Sequence, residues 1–270
     1  SGTVRWRLRQ PDGEQREYDV NGRLLKVIHP SDPRLDVTLG YANGLLATAS
    51  DGQGRMLRFQ YDAAKLLKSI QLPDGSSVYY THDANNNLTA VVYPDERIRR
   101  YHYAEPGLIG DASQRHHLTG ISIEGNVRYA SFKYDARGRV LESRVFGSPN
   151  NVTTVSYGSE TQATLLNETG EQLQYTMQPG LYRRVTSIQS AGQSGQDGSE
   201  YNTSGQLIRS TDRRGIVTEY GYTGAHRTSV TLAVGTNEQR SEEFDHDPVT
   251  GLVTEQRVKD RTGALVAQRQ

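Results

Sequence analysis

Cysteine is absent from the 270 residues, which excludes a disulfide scaffold and a thiolate zinc site. No run of apolar residues approaches the length a membrane-crossing helix needs. Charge of one sign is missing too, since 31 Lys and Arg face 31 Asp and Glu. Without a basic run, neither a nucleic-acid nor an anionic-membrane partner is expected. Apolar residues are scarce, at 34%. Such polarity alone would suit disorder, but 16 Tyr, 4 Phe and many Val, Leu and Ile supply the side chains an ordered chain buries. Basic charge rests on 26 Arg against 5 Lys, which suits planar pairing with carboxylates along strand faces. The chain opens at Ser1-Gly2 rather than Met. It reads as an excised piece of a longer polypeptide, with those two residues a remnant of cloning.

What the chain has in abundance is repetition. An aromatic residue, usually followed by Asp, precedes two or three turn residues, often a Gly, and then an apolar strand. The phrase appears as Tyr18-Asp19 with Gly22, Tyr41 with Gly44, Tyr61-Asp62 and His82-Asp83. Tyr134-Asp135 with Gly138, Tyr201 with Gly205, and Phe244-Asp245 with Gly251 follow. Weaker copies start at Tyr103, Tyr157, Tyr175 and Tyr222, giving about 11 repeats at steps of 20 to 23 residues. The best copies span 11–103 and 118–253; 104–117 reads as an inserted loop and the Gly/Ser-rich 191–199 as a flexible one. Half a period before most copies stands a second turn phrase, such as Pro11-Asp12-Gly13, Asp51-Gly52 or Pro73-Asp74-Gly75.

Two turn signals per repeat leave two strands of ordinary length between them. Segments such as Leu24–His29, Met56–Tyr61, Val127–Tyr134 and Val140–Phe146 are rich in β-branched and aromatic residues. The Asn-Gly and Asp-Gly pairs at 12–13, 21–22, 43–44, 51–52 and 74–75 mark tight turns that need positive φ. No segment keeps a helical apolar period. The expected fold is all-β: antiparallel hairpin repeats, each stabilised by stacking on its neighbours. In that setting the Tyr packs on the next repeat while its hydroxyl reaches a polar group. The Asp accepts from turn N–H groups. The pair has a structural reason to exist without any chemistry.

Tyr-Asp-x-x-Gly-x-Leu at this spacing, with Pro-Asp-Gly half a period earlier, resembles the YD (tyrosine–aspartate) repeat of the RHS family. That family takes in bacterial RHS polymorphic toxins, C components of insecticidal toxin complexes and, more distantly, the teneurins. The match runs from about Pro11 to Val253. The resemblance implies a sheet that curves or spirals into a hollow shell. In bacterial members the shell encloses a C-terminal toxin. Implied partners are therefore the rest of the parent polypeptide with its effector domain, in a protein secreted or delivered by a bacterial secretion system. The length supplies only part of a wall. The family's cap and its self-cleavage region near an Asp-Pro-x-Gly-Leu motif are not recognisable. Asp247-Pro248-Val249-Thr250-Gly251-Leu252 reads as a repeat turn in register with Phe244-Asp245.

Chemistry has little to stand on. The histidines, at 29, 82, 102, 116, 117, 226 and 246, are scattered. His82 occupies a Tyr position, and neighbours such as His116-His117 point to opposite faces on a strand. They read as surface or loop residues. No nucleophile elbow is present, and no carboxylate pair can be singled out. Catalytic, cofactor and metal residues are accordingly expected to be none. Carbohydrate or cell-surface recognition by rows of Tyr beside Asn, Asp and Arg is the rival reading. Self-association through exposed strand edges is a further expectation.

Overall fold

The computed structural model describes residues 3–147, 151–180 and 183–269. It divides into two compact units, Ser1–Ser148 and Pro149–Gln270. The first carries β1 (Trp6–Arg9), β2 (Gln15–Tyr18), β3 (Leu24–Ile28), β4 (Val37–Ala42), β5 (Leu45–Asp51), β6 (Met56–Tyr61) and β7 (Leu67–Gln71). It continues through β8 (Ser77–His82), β9 (Leu88–Val92), β10 (Ile98–Tyr103), β11 (Leu118–Ile123), β12 (Val127–Tyr134) and β13 (Val140–Val145). The second begins with β14 (Val152–Tyr157), β15 (Gln162–Leu166), β16 (Gln172–Met177), β17 (Val185–Ser190) and β18 (Gln196–Tyr201). It ends with β19 (Leu207–Thr211), β20 (Val217–Thr223), β21 (His226–Leu232), β22 (Arg240–His246), β23 (Val253–Lys259) and β24 (Leu265–Arg269).

Within each unit every strand pairs antiparallel with the next in sequence, as from β4 to β5 to β6 and from β20 to β21 to β22. Among the described residues the only helix is two single 3₁₀ turns, Pro33–Leu35 and Glu124–Asn126. None is long and apolar enough to cross a membrane.

Register explains the alternating sequence. In the first unit one face carries Val27 opposite Val37, Leu39 opposite Ala49, Phe59 opposite Ile70, Ile70 opposite Val78, and Tyr80 opposite Val91. The other face carries Lys26 opposite Thr38, Gly40 opposite Thr48, Gln60 opposite Ser69, and Thr81 opposite Ala90. A strand's period of two sorts apolar from polar side chains in this way. Strands touch chiefly their sequence neighbours, so apolar side chains are flanked along the sheet and most stay half-buried. Val91 and Ala130 are the buried apolar residues of the first unit and Val230 that of the second. A chain with only 34% apolar residues can be ordered on these terms because lateral pairing, repeated many times, replaces a deep core.

Two local expectations are corrected. The stretch 191–199 is a loop only as far as Gly195; Gln196 starts β18, in which Asp197 pairs with Ile188 and Gly198 with both Ser187 and Thr211. Ladder bonds on both sides override the weak strand propensity of Gln-Asp-Gly-Ser. At Asp51-Gly52 the positive φ falls on Gly54 (84°), two residues later. Gly52 is required for a different reason: a Cβ there would lie 1.9 Å from the Pro33 carbonyl oxygen.

Candidate functional site: the repeat clasp and the docked insertion

One turn closes most hairpins. The first residue's N–H donates to the carbonyl four residues on, and the fourth residue's N–H donates back to the first carbonyl. Asp19 N–H to Arg23 O (2.9 Å) with Gly22 N–H to Asp19 O (3.1 Å) is one instance. The fourth residue sits in the left-handed region, as Gly22 (φ 77°), Gly138 (77°) and Gly205 (80°) do. That is the three-residue hairpin loop with a glycine bulge. The half-period turns are built alike, with Gly13 at φ 91° and Gly75 at 89°. Asn43-Gly44 differs: both residues have positive φ (51° and 81°) and Ala42 faces Leu45, a two-residue type I′ turn.

The acidic residue of the repeat locks this turn. Asp19 Oδ1 accepts from the N–H of Asn21 (2.8 Å) and of Arg23 (2.9 Å), while Oδ2 accepts from Arg23 Nε (2.7 Å). Asp135 repeats the pattern with Arg137 and Arg139. Asp83 does so with Asn85 and Asn87, and Asp62 holds the Leu66 N–H. Asn202 Oδ1 accepts from Gln206 N–H (2.9 Å), so the amide serves equally well. The Arg23 amide, followed by its guanidinium, holds buried Asp19 below the usual carboxylate range.

The tyrosine ties one repeat to the one before. Tyr41 donates its hydroxyl to Leu24 O (2.9 Å), Tyr61 to Leu46 O (2.9 Å), Tyr134 to Leu118 O (2.8 Å) and Tyr201 to Val185 O (3.2 Å). In each case the acceptor is the first or second residue of the strand preceding the one that carries the tyrosine, where the chain leaves the previous turn. Arg23 also lies over the Tyr41 ring, 5.2 Å from its centroid. Tyr18, in the first copy, sits opposite Trp6 of β1. A register shift falls just before Tyr18, Tyr41, Tyr61, His82, Tyr134 and Tyr201. His82 thus takes the tyrosine's structural place.

The last copy is displaced by two residues from its sequence reading. The register shift lies between Asp245 and His246, so His246-Asp247 is the equivalent of Tyr-Asp. Asp247 Oδ1 accepts from the N–H groups of Val249 (2.9 Å) and Thr250 (2.7 Å), and Gly251 has φ 70°. Phe244 and Asp245 are strand residues, and Asp245 pairs across the ladder with Arg257 at 2.5 Å. In the same way the shift before Met177, not Tyr175, marks the copy in β16.

Residues 104–117 join β10 to β11 without a strand and are held down by polar side chains. Glu105 takes both guanidinium nitrogens of Arg128 (3.0 and 2.6 Å) and the hydroxyl of fully buried Thr119 (2.7 Å). These bonds, Arg128 foremost, hold Glu105 below its ordinary range. Buried Gln114 donates to Asp135 O (2.6 Å), and buried Asn87 donates to Arg115 O (2.9 Å) while its Oδ1 lies 2.7 Å from His116 Nδ1. His117 stands edge-on to Tyr134, ring centroids 4.8 Å apart. A Cβ on Gly138 would come 2.7 Å from His117 Nε2. The histidines therefore do more than decorate a surface. His102 Nε2 is 2.8 Å from the Oγ of buried Ser122, and burial lowers its pKa, as does the charge on Arg128. His226 and His246 lie with ring centroids 5.0 Å apart. Sequence offered no signal for this cluster, because its contacts join residues up to 29 positions apart. No group of three or more metal-ligating side chains forms among the described residues, and no buried side-chain nitrogen or oxygen among them lacks a hydrogen-bond partner.

A family model described as RHS Repeat matches residues 61–98 and 201–236. The chain thus carries two segments that match RHS repeats. Both matched segments contain the clasp: Tyr61 with Asp62 in one, Tyr201 with Asn202 in the other. Among solved structures, the chain is similar to the Tc holotoxin pore of Photorhabdus luminescens, at 13% identity and a TM-score of 0.46, over 96% of this chain and 14% of that one. It is also similar to TcdB2-TccC3, at 12% identity and a TM-score of 0.42, over 96% of this chain and 19% of that one. The chain thus spans 14% and 19% of the lengths of these two proteins. A comparison with curated proteins finds no match.

Proposed function

We propose that this RHS-repeat segment is part of the wall of a larger β-shell, in which it encloses or presents an effector domain of the same polypeptide and carries out no reaction of its own. The observation that carries this reading is the inter-repeat clasp. The hydroxyls of Tyr41, Tyr61, Tyr134 and Tyr201 close on the backbone of the preceding strand, so these four repeats are each completed by a neighbour. Residues 1–270 are on this reading one array of repeats. Its associates are other parts of its own polypeptide, and the parent is secreted or delivered by a bacterial secretion system. Ion pairs along the polar faces, such as Arg7–Glu17 and Arg209–Glu219, leave those faces wet, as the inside or outside of a shell must be.

Limited proteolysis of the intact polypeptide tests it. The effector region is expected to resist protease while the repeat wall is folded and to become cleavable when the wall is melted. An effector cleaved equally fast in both states would overturn the proposal.

A further inference from the structure

Four of the seven histidines are engaged by neighbours. His29 Nδ1 accepts from the N–H groups of Ser31 and Asp32, His102 and His116 bond Ser122 and Asn87, and His117 packs edge-on against Tyr134. His82, His226 and His246 remain, and none of their ring nitrogens bonds a described residue. His82 and His246 stand where other copies carry the clasp tyrosine. Tyr41, Tyr134 and Tyr201 each reach the carbonyl of the first residue of the preceding strand, namely Leu24, Leu118 and Val185. For His82 the residue at that place is Leu67. For His246 it is His226.

The ladder brings these two rings together. Ser229 faces Glu243 and Val230 faces Glu242; carried three residues towards the turn, the same register sets His226 opposite His246 on one face. The ring centroids are 5.0 Å apart and the planes 36° from parallel. A Cβ on Gly251 would lie 2.6 Å from His226 Cε1, so that ring is wedged against the last turn. A hollow of ≈ 460 Å³ opens beside the pair, lined also by Thr223, Thr228, Phe244 and Asp247. Asp247 holds its turn through Oδ1. Its second oxygen bonds no described residue, so an unpaired carboxylate borders the hollow.

We propose that His226 and His246 together bind a late transition-metal ion, Cu²⁺ most tightly, which closes the last clasp in place of the tyrosine hydroxyl. A metal–nitrogen bond of ~2.0–2.1 Å, plus about 1.1 Å from ring nitrogen to ring centre, puts each centroid ~3.1–3.2 Å from a shared ion. At that distance the 5.0 Å separation subtends roughly 105°. The angle lies between square-planar and tetrahedral values, which copper and zinc favour respectively. The outer torsion of histidine is soft, so aiming one nitrogen of each ring at the ion takes side-chain rotation alone. No third metal-ligating side chain joins the pair; water fills the other positions, and the Asp247 charge favours a cation in the hollow. Imidazole suits nickel, copper and zinc, and affinity in that series peaks at copper. His82, facing Leu67 instead of a second imidazole, has no such site. The inference stands independently of the shell reading.

The test is titration calorimetry and scanning calorimetry of the 270-residue chain with the chlorides of Cu²⁺, Ni²⁺, Zn²⁺ and Mg²⁺. Cu²⁺ should bind tightest, with Kd at or below about 10 µM, and Mg²⁺ should not bind. At 100 times its Kd, Cu²⁺ should raise Tm by about 5–10 °C, reversed by EDTA. His226→Ala and His246→Ala should each weaken Cu²⁺ binding tenfold or more and remove the rise in Tm, while His82→Ala leaves both unchanged. His246→Tyr, which restores the hydroxyl of the other copies, should melt above the metal-free parent and ignore the metal. Electron paramagnetic resonance of the Cu²⁺ form should show two imidazole nitrogens. Absence of Cu²⁺ binding, a Tm response that survives either alanine variant of the pair, or equal loss on His82→Ala would overturn the proposal.

Discussion

Replacing Tyr134 with Phe removes one oxygen atom and leaves the ring in place. The hydroxyl donates to Leu118 O at 2.8 Å from a half-buried position, and burial pushes its pKa up, so it is a neutral donor. A hydrogen bond between neutral groups contributes roughly 0.5–1.5 kcal/mol net. For a domain of this size a change of 1 kcal/mol moves Tm by about 2–4 °C. Tyr134→Phe should therefore lower Tm by a few degrees. Tyr41→Phe and Tyr61→Phe, which lose bonds of 2.9 Å each, should do the same, and the double variant should lose about the sum. Nearest-neighbour stacking makes such losses additive when sites share no partner. Tyr79→Phe is the control: its exposed hydroxyl makes no bond to a described residue, so stability should stay within about 0.5 kcal/mol of the parent. Urea unfolding followed by circular dichroism, with scanning calorimetry for Tm, gives both quantities. If the clasp tyrosines tolerate loss of the hydroxyl as well as Tyr79 does, the tyrosine does not join repeats and the clasp is wrong.

Other consequences follow from the turns and the insertion. Lys65 occupies the glycine position of its turn at φ 64°, so Lys65→Gly should stabilise the fold by roughly 0.5–1 kcal/mol after glycine's greater unfolded-state freedom is deducted, read as a higher urea midpoint. Gly138→Ala meets both a φ of 77° and His117. It should loosen 104–117, read as faster protease cleavage there before the sheet melts. Asp19 and Asp212 are both held below the usual carboxylate range, by the amides of Arg23 and Ile216 first and then by arginine side chains. Their stabilisation is complete above the unfolded-state value near 4 and is lost as pH falls through the lower folded-state values. Urea midpoints should thus fall below about pH 4, and Asp19→Asn, which keeps the acceptor as Asn202 does, should flatten that dependence.

Repetition made the strands legible. Met56–Tyr61 and Val127–Tyr134 stand in the structure with the bounds that alternation and turn residues mark out, and Leu24–His29 and Val140–Phe146 each end one residue early. The clasp was legible in kind, because Tyr-Asp before a glycine has few other uses at this spacing. Its phase in the last copy was not. Phe244-Asp245 and His246-Asp247 are both aromatic–acid pairs, and only the N–H groups of Val249 and Thr250 decide which acid caps the turn. The left-handed positions of Lys65, Asn86 and Glu96 carry no glycine to announce them. Nor does β18 advertise itself, since its residues are strand by virtue of neighbours on both sides. The insertion's cluster joins side chains from the turn before β9 to β12, and long-range polar contacts of that kind leave no periodic trace.

The proposed shell is tested most directly by electron cryomicroscopy of the larger polypeptide in which this chain is proposed to lie. The expected result is a hollow β-walled particle, with the 24 strands traced as consecutive rungs of the wall and density for an effector inside. A compact particle without a cavity, or these strands on a free-standing arm away from any enclosure, would contradict it.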